Sequence, residues 1–232
     1  SLFHYRNDFP FYYHPDEPGK VRQVMSKEWN FHHPMLMLST TRLVAQLTGG
    51  VDHPQKMVET GRKVSAALAA GGAAFLTVLV WRLAGGYAAA AAGILLISNR
   101  QIFELAHYFK EDTALFFGVS AWFLAMVCFW KRPGAATAMG LGVGSALAVS
   151  GKYVGVVMVL LSLILLPLHL HRGQRAKALV LYLAVCLAVV AFINLPLLMD
   201  GETFRKSFNR EIEFVVGGQR GLTRSIPHPV YL

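Results

Sequence analysis

The chain divides into a polar, aromatic stretch over residues 1–60 and an apolar remainder, in which six hydrophobic segments follow one another with short polar interruptions. They run near 64–84, 87–104, 114–130, 135–151, 153–170 and 178–199. Such segments read as membrane-spanning helices, because about 20 apolar residues in a helix cross ~30 Å of hydrocarbon. The second and fourth are short and rich in Ala and Gly, which predicts close approach to neighbouring helices. Beyond them, apolar residues at Phe204, Phe208, Ile212 and Val215 have helical spacing and predict an amphipathic helix at the membrane surface. The expected fold is all-α. A polytopic transmembrane bundle spans 61–199, an extracytoplasmic loop and juxtamembrane helix span 1–60, and an extracytoplasmic amphipathic helix and loop span 200–232.

Composition supports a membrane protein. The 232 residues are 54% hydrophobic and only 15% charged, with a mean hydropathy of +0.43, too apolar for a soluble domain of this size. A formal net charge of +9 would suggest nucleic acid in a soluble protein, but no basic helix with interleaved aromatics occurs. Topology and anionic lipid or phosphate partners account for the charge, and nucleic acid is excluded as a partner. Cys128 and Cys186 lie in apolar runs and read as small buried hydrophobes. Both ends of the sequence look cut, and the chain is expected to be a piece of a longer protein.

An even number of spans puts residues 1–60, the 105–113 loop, the turn at 150–153 and the tail on one side. The opposite side holds three short connections carrying Arg82, Lys131, Arg132, Arg172, Arg175 and Lys177 and no acid. The positive-inside rule makes that side cytoplasmic. All 13 Asp and Glu residues then fall on the extracytoplasmic side, which marks it as the face built for polar chemistry. The expected location is integral to a membrane, the plasma membrane by preference, with the active face outward.

Ionisable groups at the edges of spans are costly to keep and point to function. Asp16 and Glu17, followed by Lys20 and Arg22, lie in the first loop; Lys110, Glu111 and Asp112 enter a span; Lys152 sits between two spans. Adjacent carboxylates in a turn point in different directions, so one can act as general base while the other orients the loop or binds a cation. Lys20, Arg22 and Lys152 supply the positive charge that a phosphate leaving group needs. His107 stands at the mouth of a span. His32 and His33 are weighed as metal ligands, but neighbouring histidines rarely hold one ion, and a turn before a helix is the plainer reading. No HExxH, CxxC or glycine-rich phosphate loop is present.

These motifs resemble those of polytopic glycosyltransferases of the GT-C fold, in the branch of protein O-mannosyltransferases (dolichyl-phosphate-mannose-protein mannosyltransferases) and lipid A aminoarabinose transferases. HPDEPGK resembles that family's acidic motif in the first extracytoplasmic loop. HHPMLML, with Met35 where a second Pro is usual, resembles its His-Pro juxtamembrane helix. HYFKEDTALFF resembles the family's Arg-to-Asp element, with His107 in the place of the Arg, and SGKYVG resembles its Lys turn. The resemblance implies transfer of a sugar, with inversion, from a polyprenyl-phosphate donor on the outer face to an acceptor. It implies Asp16 as the base with Glu17 second, and Lys20, Arg22 and Lys152 on the donor phosphate. His33, His107, Glu111, Asp112 and His228 are further active-site candidates. No metal ligand set is assigned, although a divalent cation is compatible with this chemistry. A transporter or lipid flippase, and a non-catalytic lipid-phosphate-binding subunit of the same fold, are the alternatives.

Overall fold

A computed structural model describes residues 6–10 and 13–217, whose regular secondary structure is all helical, with no strand among the described residues. Two short helices, α1 (Glu17–Ser26) and α2 (Leu36–Thr48), precede the long α3 (Pro54–Ile97). Then come α4 (Arg100–His107), α5 (Asp112–Lys131), α6 (Ala135–Gly151), a 3-10 turn at Tyr153–Gly155, α7 (Val156–His169), α8 (Arg172–Ile193), α9 (Leu195–Met199) and α10 (Gly201–Gly217).

Helix α3 is two helices joined at Gly85, where φ is 85° and ψ −177°, a conformation that favours glycine. A side chain at Gly93 would meet Thr77 Oγ1 at 3.5 Å. In a continuous helix those residues would stand about 24 Å apart, at 1.5 Å per residue, so the chain folds back on itself there. The returning segment differs from the uninterrupted span expected over 87–104. It ends at Ile97, and Asn99 caps the separate α4 by accepting the Ile102 N–H at 3.0 Å. The polar run Ser98-Asn99-Arg100 lets the chain stop and restart, and Ala106 and Ile102 of α4 then pack on Ala66 and Ala69 of α3.

Three described helices, α3, α5 and α8, are long and apolar enough to cross a membrane; α6 and the 153–169 segment are shorter apolar helices. Within the bundle α3 packs on α5, α5 on α6, and α6 on α8. Small residues allow the α5–α6 contact: a Cβ on Gly118 would lie 2.3 Å from the Ala148 nitrogen, and one on Gly144 would lie 2.7 Å from Trp122 Cα. A buried polar chain crosses the bundle. Trp122 Nε1 donates to Ser162 Oγ at 2.7 Å, Ser162 and Ser145 are 3.2 Å apart, and the Tyr182 hydroxyl donates to Ser145 at 3.0 Å. Outward-facing Ile164, Leu168, Val180, Leu187 and Phe192 are exposed, the pattern of a protein whose solvent is lipid.

Helices α1 and α2 cap one end of this bundle around Val24, Phe31, Met37, Met57, Val58 and Phe109. Asn194, at the end of α8, ties that cap down: its Oδ1 accepts the Met35 N–H at 2.9 Å and its Nδ2 donates to Ser150 Oγ at 2.8 Å. Residues 150–152, 109–112, 194 and the first loop therefore meet at one end. The expected amphipathic tail helix falls on α10, where the rings of Phe204 and Phe208 pack, tilted and edge-on, against Tyr153 with centroids 6.2 and 5.7 Å away.

Candidate active site

The two carboxylates of the first loop have opposite environments. Asp16 and Glu17 stand at the start of α1, whose opening is favoured by Pro18 in the first turn. Glu17 is 0% exposed, as is Arg62 of α3. Arg62 Nε meets Glu17 Oε1 at 2.9 Å and Nη2 meets Oε2 at 2.6 Å, a two-pronged pair, while the Phe109 N–H donates to Oε1 at 3.0 Å. The rest of the guanidinium donates to the carbonyls of Asn7, Phe9 and Pro10 and lies over the Phe9 ring, 3.5 Å from its centre. Glu17 and Arg62 thus fasten the first loop, α1, α3 and the 109–112 segment to one another.

Asp16 faces outward, with its side chain 53% exposed and Lys110 Nζ 3.4 Å from Oδ2. Its N–H donates to His14 Nδ1 at 3.3 Å. Burial, and then the nearby Lys110, lower the His14 pKa, so the ring is neutral and that nitrogen is free to accept.

A cleft of about 380 Å³ opens beside Asp16, with Lys20, Asn30, His32, His33 and Glu111 on its walls. Lys20 is buried; its Nζ lies 2.8 Å from Glu111 Oε2 and donates to the Phe109 carbonyl at 2.9 Å. His33 Nε2 lies 3.8 Å from the same Glu111 oxygen. Burial lowers the His33 pKa, with Glu111 opposing the shift, so His33 faces the cleft as a neutral imidazole near pH 7. On the next residue Asp112 turns to Lys152, whose Nζ is 2.9 Å from Oδ1. Cations and acids alternate, so each acid here is matched by a partner.

Of the sequence candidates, Asp16, Lys20, His33 and Glu111 line one cleft, and Asp112 and Lys152 form a pair one residue farther on. Glu17 lies behind that cleft wall. Arg22 is exposed on α1 and is not among the cleft residues. His107 is on α4, where Nδ1 is 2.7 Å from the Phe103 carbonyl and the ring stacks on Phe103 at 4.1 Å. His228 lies outside the described residues. Among the described residues no group of three or more His, Cys, Asp or Glu is arranged to hold a metal ion.

A family model, dolichyl-phosphate-mannose-protein mannosyltransferase, matches residues 46–209, more than half of the chain. The chain belongs to that family. It is an integral membrane glycosyltransferase of the mannosyltransferase kind. No curated protein and no solved structure matches it. The part matched to the mannosyltransferase family contains Arg62, the Lys110–Asp112 segment, Lys152 and Asn194, while Asp16 and Glu17 precede it.

Two residues that organise this mannosyltransferase site escaped the sequence reading. Arg62 stands at the start of the first apolar segment, in GRKVSAAL, where an ionisable residue entering a span is itself a signal. Asn194 interrupts VVAFINLPLL in the same way, and a lone amide in an apolar run needs partners.

Proposed function

We propose that this chain moves a sugar from a polyprenyl-phosphate-linked donor, a dolichyl-phosphate-mannose type of donor by its family, to an acceptor nucleophile on the extracytoplasmic face, with inversion at the anomeric carbon. The observation that carries this reading is the asymmetry of the acidic pair: Asp16 is exposed at a polar cleft, whereas Glu17 is sealed against Arg62. Asp16 takes the proton of the acceptor. The acceptor's electron pair forms the bond to the anomeric carbon, and the bond from that carbon to the phosphate oxygen breaks, leaving its pair on the phosphate. Such an in-line displacement needs a base on one side and positive charge on the other. Lys20, on the cleft wall, and Lys152, close enough to the cleft's His33 to act on its charge, supply that charge; Arg22, exposed on α1 and away from both, is left out of the step. Neutral His33 and Glu111 line the cleft to align the acceptor. The orientation that puts this face outward rests on the six basic residues of the opposite connections.

The test is Asp16→Asn in the full-length protein, assayed for transfer from a labelled polyprenyl-phosphate sugar. Loss of a positioned general base lowers the rate about 10²–10⁴-fold. Transfer at the wild-type rate would remove Asp16 as the base. Failure of the wild-type protein to consume any such donor would remove the donor class.

A further inference from the structure

The end of the bundle opposite the acidic cleft carries Arg82, Lys131, Arg132, Arg172, Arg175 and Lys177, all exposed. No Asp or Glu occurs between residues 60 and 103 or between 113 and 199, so these cations have no carboxylate on their own connections. The partners seen there are backbone carbonyls: Lys131 donates to the Arg82 carbonyl, and Arg175 Nε to the Leu170 carbonyl at 2.9 Å. A cleft of about 200 Å³ opens among them, walled by Ala135, Leu170, Gln174 and Lys177, with Gly134 and Gly173 leaving its floor clear.

The depth of this cleft is marked by aromatics. Trp81 and Trp130, each next to a cation in sequence, are 61% and 63% exposed, as befits indoles at the headgroup level of a bilayer. Leu168, two residues before the cleft's Leu170, is 68% exposed on the hydrocarbon side. A ligand seated here therefore meets an ammonium and an amide at one end and an apolar, lipid-facing helix at the other.

We propose that this cleft binds the phosphate of an anionic lipid headgroup from the adjoining leaflet. Lys177 supplies the charge, Gln174 a neutral donor, and the exposed Leu168 the surface along which the acyl chains leave, with the buried Leu170 closing the cleft wall. A free phosphate would share the polar chemistry but would draw nothing from the apolar, lipid-facing flank. The site is separate from the sugar-transfer cleft, so its fate does not depend on the reaction proposed above.

The experiment uses the full-length protein in phosphatidylcholine nanodiscs titrated with a fluorescent phosphatidic acid. A cation near an anionic membrane surface is worth about 1 kcal/mol, so Lys177→Gln weakens binding about fivefold, while Lys177→Arg keeps it. Gly173→Trp puts an indole on the cleft lining without removing a charge, in a place where nothing lies within 4 Å of a Cβ, and it also weakens binding. Lys206→Gln, at the other end of the molecule, leaves the affinity unchanged. Wild-type affinity in both Lys177→Gln and Gly173→Trp would overturn the proposal, as would equal binding of a fluorescent phosphatidylcholine. Complete displacement of the lipid by millimolar inorganic phosphate would identify a soluble anion as the ligand instead, and would also overturn it. Thermal unfolding at the wild-type temperature shows that each variant is folded; should Gly173→Trp not fold, Lys177→Gln decides.

Discussion

Replacing Arg62 with Met is the sharpest test of how the acidic loop is held. The substitution keeps an unbranched apolar stem of similar length but leaves the Glu17 carboxylate, 0% exposed, with the Phe109 amide as its remaining donor. Removing one partner of a buried ion pair costs about 3–5 kcal/mol, because a charge is left uncompensated out of water. The carbonyls of Asn7 and Pro10 also lose their guanidinium partner, each at about 1 kcal/mol or more where it stays dry. The double variant Arg62→Met with Glu17→Met removes both charges and returns most of the loss, so a double-mutant cycle yields a coupling of at least about 2 kcal/mol. Thermal unfolding of the detergent-solubilised full-length protein reads the global cost, and limited proteolysis of residues 6–16 reads undocking of the loop. Arg22→Met, on the exposed side of α1, is the reference and costs less than about 0.5 kcal/mol. If Arg62→Met were as mild as Arg22→Met in both assays, the Glu17–Arg62 pair would not be what fastens the loop.

Three further outcomes follow from other layers of the structure. Because burial lowers the His33 pKa, the folded state resists protonating it: its contribution to stability is intact above the ordinary histidine pKa of about 6.5 and is lost as pH falls below that value. The melting temperature of the wild type therefore drops more steeply below pH 6.5 than that of His33→Gln, and parallel curves would refute this. Gly118→Val thrusts a side chain at the Ala148 backbone, 2.3 Å from a Cβ, and destabilises by roughly 1–3 kcal/mol or more; an unchanged melting temperature would mean that α5 and α6 are not in close contact. Ser162→Ala strands the buried Trp122 N–H at about 1–3 kcal/mol, checked by thermal unfolding against Ser120→Ala.

The apolar segments were legible because lipid demands long hydrophobic helices, and that demand leaves its mark on every residue. Where the sequence reading placed one span over 87–104, the polar Ser98-Asn99-Arg100 run mattered more than average hydropathy: an Asn able to cap a new helix outweighed the apolar residues around it. At the site, the convergence of the first loop, Lys110–Asp112 and Lys152 followed from topology alone. The pairing did not. Nothing in HPDEPGK says which acid turns inward, because that is decided by Arg62, 45 residues away in the chain. Glu111 and Asp112 repeat the lesson, one turning to Lys20 and the other to Lys152. A pattern of charges shows where polar groups gather, and the partners follow only from packing.

That division between neighbouring acids yields the last prediction. In Asp16→Asn the exposed carboxylate goes while the Glu17–Arg62 anchor stays, so transfer falls with the melting temperature unchanged. Glu17→Gln does the reverse: an amide keeps a hydrogen bond to Arg62 but removes the countercharge, leaving a buried guanidinium unpaired at a cost of several kcal/mol. Its melting temperature falls, and its activity loss reflects the fraction of molecules whose loop has come away. Cooling the assay therefore restores transfer in Glu17→Gln and not in Asp16→Asn. Because the loss in Glu17→Gln is a loss of molecules with a docked loop, it lowers the apparent kcat in proportion to that fraction and recovers on cooling, while Asp16→Asn lowers kcat at every temperature. The opposite result, with Glu17→Gln stable yet inactive at every temperature and Asp16→Asn active, would hand the proton to Glu17, and Arg62 would then have to release that carboxylate during the reaction.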